Sequence, residues 1–143
     1  GSEIKSHDGN IASSNPGWYL MIVDAKVEGR DIKYDVTFNK PQVYLIGTAT
    51  SGDWTENQAD QLFTVPTTKE GQFVSPAFAK NTTGDGGLRA YVKLPGTDWW
   101  KTEFMVFDKK IKYRGTGGDQ ERINATAGQK LYLNFGNETG EIK

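Results

Sequence analysis

The chain has 143 residues, of which 36% are hydrophobic and 12% aromatic, with 17 glycines and a formal net charge of −1. That length suits one domain with its own core, and the absence of a basic excess argues against nucleic-acid binding and against polybasic attachment to a membrane surface. With no cysteine and one histidine, His7, the chain is a poor fit to disulfide scaffolds, thiolate chemistry, histidine zinc sites and Ser-His-Asp triads.

Residues 1–15 are polar and aperiodic and are expected to form a flexible N-terminal tether. Pro16-Gly17 marks the start of order, and residues 16–143 are expected to form a single domain. Trp18–Val27 is an apolar run that turns into an alternating one. Glu28–Asp31 is a turn, and Ile32–Phe38 alternates strictly. Together they predict a β-hairpin whose second strand buries Ile32, Tyr34, Val36 and Phe38. The longest apolar stretch, Trp18–Val23, is too short to cross a membrane.

Gln42–Gly47 predicts a strand ending in glycine. Thr48–Asp60 is polar and turn-rich, with Trp54 isolated within it, and Asn57–Gln61 suits one helical turn. Short strands are predicted at 60–65 and 72–75, then a glycine-rich loop over 80–87. Leu88–Leu94 alternates, placing Leu88, Ala90, Val92 and Leu94 on one face and Arg89, Tyr91 and Lys93 on a solvated one. Pro95–Asp98 is a turn, with Trp99-Trp100-Lys101 directly after it. Strands follow at 103–107 and 110–113, then a Gly-rich loop over 114–120, a closing strand over 131–135 and an acidic tail over 136–143. Eight or more short strands with no convincing helix predict an all-β, antiparallel β-sandwich.

The tryptophans are the residues that invite a function. Trp54 lies in a polar loop, where it either plugs an end of the sandwich or stands exposed as a platform. On an extended backbone Trp99 and Trp100 point to opposite sides, so one enters the core and the other meets solvent. Exposed indoles suit sugars, because a pyranose has an apolar face of C–H groups and an equator of hydroxyls. Such a site is an apolar wall with a few placed polar groups, and Arg89, Tyr91, Lys93, Asp98 and Lys101 are the candidates for those groups. Taken singly, each of these five also reads as part of a solvated strand face.

Nothing in the spacing pairs two carboxylates across a cleft, as a glycosidase needs. Asp53, Glu56 and Asp60 near Trp54, and Asp98 and Glu103 near the tryptophan pair, read as turn and rim residues. Asp85 in 83–87 is only loosely similar to a calcium loop, because the alternating oxygen ligands and closing glutamate are missing. Gly115–Gly118 lacks the lysine and helix of a phosphate loop. No metal or other cofactor is expected.

Val43-Tyr44-Leu45-Ile46-Gly47, the polar loop to Gly52-Asp53-Trp54, the strand Leu88–Leu94 and then Asp98-Trp99-Trp100 resemble, in order, a starch-binding β-sandwich of the SusE/SusF-like family of outer-membrane glycan-binding lipoproteins. The likeness runs from about Gln42 to Phe135. It implies an immunoglobulin-like or starch-binding-module-like sandwich without catalysis, surface-exposed at the cell outer membrane. It also implies an oligo- or polysaccharide partner, with α-glucan the first guess, and other outer-membrane uptake proteins as further partners. Carried over, Trp54 is the loop ring, Trp99 or Trp100 the second ring, and Arg89 or Lys93 the basic residue. The polar 1–15 stretch suits a tether behind a lipidated cysteine that is not in this sequence, and that anchor would be the sole contact with the membrane. The doubled tryptophan and the long loop before Leu88 depart from the pattern. The Trp18 hairpin is either an extra strand pair or part of a preceding immunoglobulin-like domain. The rival reading is a structural or protein-interaction domain of an uptake complex, in which the tryptophans are buried. Solvent access of Trp54, Trp99 and Trp100 separates the two.

Overall fold

The structure is a computed structural model and describes residues 4–7, 10–82 and 87–143. The loosely calcium-like Asp85 lies outside the described residues. The chain divides into two compact units, Gly1–Pro41 and Gln42–Lys143. The division therefore falls after Pro41, not at the expected junction of residues 15 and 16, and the Trp18 hairpin belongs to the first unit.

Within the first unit, β1 (Ile4–His7) pairs antiparallel with β2 (Asn10–Ser13), so the stretch expected to be a tether contains paired strands. Strands β3 (Leu20–Glu28) and β4 (Asp31–Asn39) form the expected hairpin, turning at Gly29 with φ +63°. The register sets Met21 opposite Phe38, Val23 opposite Val36, Ala25 opposite Tyr34 and Val27 opposite Ile32. Those eight side chains share one face. The other face carries the Lys33–Glu28 ion pair, at 2.8 Å.

The expected burial of the apolar face does not occur. Ile32 is 55% exposed, Tyr34 63% and Val36 48%, and only Phe38 is half-buried. The reason is architectural: a two-stranded ribbon is a single layer, and an apolar face is buried only under a second one.

The second unit is one seven-stranded antiparallel sheet. Its strands are β5 (Val43–Gly47), β6 (Phe73–Val74), β7 (Leu88–Val92), β8 (Glu103–Phe107), β9 (Lys110–Tyr113), β10 (Leu131–Asn134) and β11 (Thr139–Ile142). Their spatial order is β5-β7-β8-β9-β11-β10-β6. The sheet curls so far that one short segment reaches both of its edges. Tyr44 of β5 bridges Leu62, and Val74 of β6 bridges Thr64. This curled sheet is the predicted antiparallel sandwich. The strand expected over 60–65 contributes those two bridges, after a single 3-10 turn at Ala59–Gln61.

The core lies inside the curl. Leu45, Leu88, Ala90, Phe104, Leu131 and Leu133 are fully buried. Phe135 meets Phe104 and Phe73 edge-on, with centroids 5.5 and 5.0 Å apart, the arrangement that aromatic quadrupoles favour. The expected closing strand, β10, is not the last. The acidic tail supplies β11, which inserts between β10 and β9. Gly140 makes the insertion possible: a Cβ there would lie 2.7 Å from the Tyr132 carbonyl oxygen.

Strand β7 also departs from expectation. Its second face is buried as well as its first. Tyr91 stacks on Tyr44, its cross-strand partner, at 5.6 Å and 18°. Trp99 then packs over Tyr44, Ile46 and Tyr91. A second, smaller apolar cluster thus covers the outside of the sheet. No described helix is long and apolar enough to cross a membrane.

Candidate functional site

Trp54 is placed by the turn that ends β5. Gly47 has φ +124°, and a Cβ there would stand 2.2 Å from the Gly87 carbonyl oxygen, so only glycine fits. Beyond it the loop closes on itself. The Gly47 N–H donates to the Asp53 carbonyl at 2.7 Å, and the Thr50 hydroxyl donates to the carbonyls of Gly47 and Asp53. Asp53, with φ +49°, completes the reversal, and its carboxylate pairs with Lys80 at 2.8 Å. Trp54 follows with 39% of its surface exposed. The ring is therefore exposed rather than buried as a plug.

Trp99 and Trp100 do not lie on extended chain. With Lys101 they form a 3-10 turn. The turn is held by the Thr102 hydroxyl, which donates to the carbonyls of Val92 at 2.6 Å and Trp99 at 3.2 Å. The division of labour survives the change of backbone. Trp99 is half-buried on the outer cluster and Trp100 is 40% exposed.

These elements bring the three tryptophans together. Trp54, Trp99 and Trp100, with Arg114, Asp119 and Arg122, line one open groove of about 450 Å³. The Trp54 and Trp99 ring centroids are 5.9 Å apart, their planes 28° from parallel. The Arg122 guanidinium lies 5.7 Å from the Trp54 centroid, and that of Arg114 lies 5.1 Å from the Trp100 centroid. A smaller depression of about 290 Å³ adjoins the other side of Trp99, bordered by Asn57, Tyr91, Lys93 and Asp98.

The remaining expected site residues divide in three. Lys93 and Asp98 border the smaller depression, and Lys101 sits 5.3 Å from the Trp100 centroid and 3.8 Å from the Asp98 carboxylate. Tyr91 is 1% exposed, and its work is structural: burial raises its pKa above the ordinary tyrosine value, against a hydrogen bond from Asn57 that lowers it. Arg89 is wholly buried beneath the groove, not on a solvated face. Burial lowers its pKa and the carboxylates of Glu103 and Asp119 oppose that shift, so it stays charged. The basic groups at the groove itself are Arg114 and Arg122. Sequence reasoning does not find them because both sit in the irregular segment between β9 and β10, on which no period places a side chain.

Among the described residues Asp119 is the sole carboxylate lining the groove, and it pairs with Arg122 at 3.0 Å. Near Trp54, the Asp60 carboxylate accepts from Ser51 at 2.6 Å, which lowers its pKa. Asp60 is therefore not held uncharged, as a glycosidase acid must be. Among the described residues no cluster of His, Cys, Asp or Glu could hold a metal.

A curled antiparallel sandwich with an indole-lined groove and guanidinium groups at its rim defines a binding module, not a catalytic centre. Residues 42–141 match the family described as SusF/SusE starch-specific CBMs, that is, carbohydrate-binding modules. The chain belongs to that family and is a non-catalytic, glycan-binding module. It is similar to outer membrane protein SusF of Bacteroides thetaiotaomicron, with 44% identity over 98% of this chain. It is also similar to the crystal structure of SusF from Bacteroides thetaiotaomicron, with a TM-score of 0.84, 44% identity and 98% coverage of this chain. The chain spans 28% of the length of the first and 30% of the second.

Proposed function

We propose that this module captures α-glucan for an outer-membrane uptake system, holding the sugar on Trp54, Trp99 and Trp100. One observation carries the reading: Trp54 and the distant pair Trp99-Trp100 line a single groove together with two guanidiniums. The apolar faces of glucose units rest on the indoles. The N–H groups of Arg114 and Arg122, and the polar groups of Lys93, Asp98 and Lys101 beyond Trp99, bond the hydroxyls. The 28° between Trp54 and Trp99 favours a curved glucan over a flat chain. The name of the SusF relative supports a location at the cell outer membrane; other uptake proteins there are its proposed partners. Exposure of Trp54 and Trp100 favours this reading over an interaction domain with buried rings.

Each stacked ring is worth about 1 kcal/mol, so a single site binds in roughly the micromolar to millimolar range. Weak sites suffice when several engage one polymer. The test is quenching of tryptophan fluorescence by maltoheptaose. Saturable quenching that disappears in Trp54→Ala is the expected result. No response to maltoheptaose, or to other soluble oligosaccharides, would overturn the reading.

A further inference from the structure

Below the groove runs a chain of charges that starts from one buried cation. Arg89, on β7, has no exposed surface. Its Nε faces Glu103 Oε2 at 3.9 Å, and its Nη2 faces Asp119 Oδ1 at 3.7 Å. Nη1 donates to the Leu88 carbonyl at 3.0 Å, and Nη2 also donates to the Gln120 carbonyl. Each carboxylate then holds a second arginine. Glu103, itself 1% exposed, accepts from Arg114 at 2.8 Å, and Asp119 pairs with Arg122 at 3.0 Å. Each of those arginines ends on a groove indole, Arg114 on Trp100 and Arg122 on Trp54.

The two branches have the same sequence of parts: buried guanidinium, carboxylate, outer guanidinium, indole. A buried charge is tolerated when it is paired, and a guanidinium has a planar fork that can serve two carboxylates at once. A free arginine samples many rotamers, and a carboxylate anchor removes that freedom before a ligand arrives. Arg89 also ties down the irregular segment carrying Asp119 and Arg122 through the Gln120 carbonyl. Arg114 is held separately, its N–H donating to the Glu103 carbonyl at 3.0 Å.

We propose that Arg89 is a positioning residue for the groove: through Glu103 and Asp119 it sets Arg114 against Trp100 and Arg122 against Trp54. Arg89 never meets a ligand. It pre-forms the polar rim on both sides of the indole wall, so ligand binding need not order it. The affinity arm of the test rests on the glycan reading above; the spectral arm does not.

The experiment uses the whole chain with Asp119→Asn, Arg122→Ala, their double variant and Arg89→Met. It records the near-ultraviolet circular dichroism of the tryptophans, the thermal transition and maltoheptaose affinity. Asp119 is half-exposed, so Asp119→Asn keeps its fold and carries the test even where Arg89→Met does not fold. The expected result is a changed tryptophan spectrum with a retained transition, and affinity about five-fold lower in Asp119→Asn. The double variant should be no worse than Arg122→Ala alone, because Asp119 acts through Arg122. An unchanged spectrum in Asp119→Asn, or effects that simply add in the double variant, would overturn the proposal. If the parent chain binds no maltoheptaose, the glycan reading fails, and the spectra and their non-additivity still decide the role of the network.

Discussion

The Tyr91 hydroxyl and the backbone of Asn57 hold each other across the outside of the sheet. The Asn57 N–H donates to the hydroxyl oxygen at 2.7 Å, and the hydroxyl donates to the Asn57 side-chain oxygen at 3.2 Å. The same loop carries Trp54, and the same tyrosine ring packs under Trp99, with centroids 6.0 Å apart. One side chain therefore references both platform indoles to strand β7.

Tyr91→Phe keeps the ring and deletes that hydroxyl. The Asn57 N–H loses its partner, at a cost of about 1 kcal/mol. The larger effect should fall on binding, because the Trp54 loop is freed while the Tyr44 stack remains. Calorimetric titration with maltoheptaose should show affinity falling by more than the loss of stability accounts for. Equal effects on both would mean that the loop position is immaterial to the site.

Burial holds the Tyr91 pKa above the ordinary tyrosine value of about 10. The folded state thus favours the neutral phenol more than the unfolded chain does. That contribution is complete below about pH 10 and is lost as pH rises through the raised folded value. Tyrosinate absorbance should show Tyr91 among the last of the six tyrosines to ionise. Stability should fall above pH 10, and less steeply in Tyr91→Phe. The same alkaline slope in both proteins would contradict the assignment.

Gly47→Ala should be among the most damaging single changes in the sheet. The new methyl would meet the Gly87 carbonyl oxygen at 2.2 Å, on a backbone with φ +124°. A loss of about 3 kcal/mol is expected, together with loss of glycan binding, since this turn carries the Trp54 loop. Denaturant unfolding followed by fluorescence measures it. A near-native midpoint would show that the Gly47–Gly87 approach relaxes easily.

Trp54→Ala and Trp99→Ala should separate binding from stability. Trp54 rests on a loop and is 39% exposed, so its truncation should cost affinity about five-fold with little change in thermal midpoint. Trp99 covers Tyr44, Ile46 and Tyr91, so its truncation should cost both affinity and about 2 kcal/mol of stability. Equal thermal midpoints for the two variants would contradict the packing of Trp99.

The strand at Val43–Gly47 and the loop placement of Trp54 were readable because local rules suffice there. Val43–Gly47 is a continuous apolar run ended by a glycine that only a sharp turn needs, and an indole among polar loop residues has no strand to enter. Thr139–Ile142 was not readable, because its place depends on Gly140 admitting the Tyr132 carbonyl. Its own residues have no apolar period. The apolar alternation of β4 was real, but alternation states which residues share a face and not whether another layer covers it.

The sequence alone determined the class of fold and the three tryptophans worth testing, and its lack of cysteine and its single histidine argue against thiol or zinc-histidine chemistry. Periodicity, turn residues and composition are local properties, and those conclusions need nothing more. Only the tertiary structure decided which cations meet the rings. Arg89 alternates like a surface residue, yet the curled sheet and the segment through Gln120 close over it. Arg114 and Arg122, in a segment with no period, arrive at the groove because Glu103 and Asp119 hold them there. A buried charge takes its position from its partners, and those partners are distant in the chain and adjacent only once it is folded.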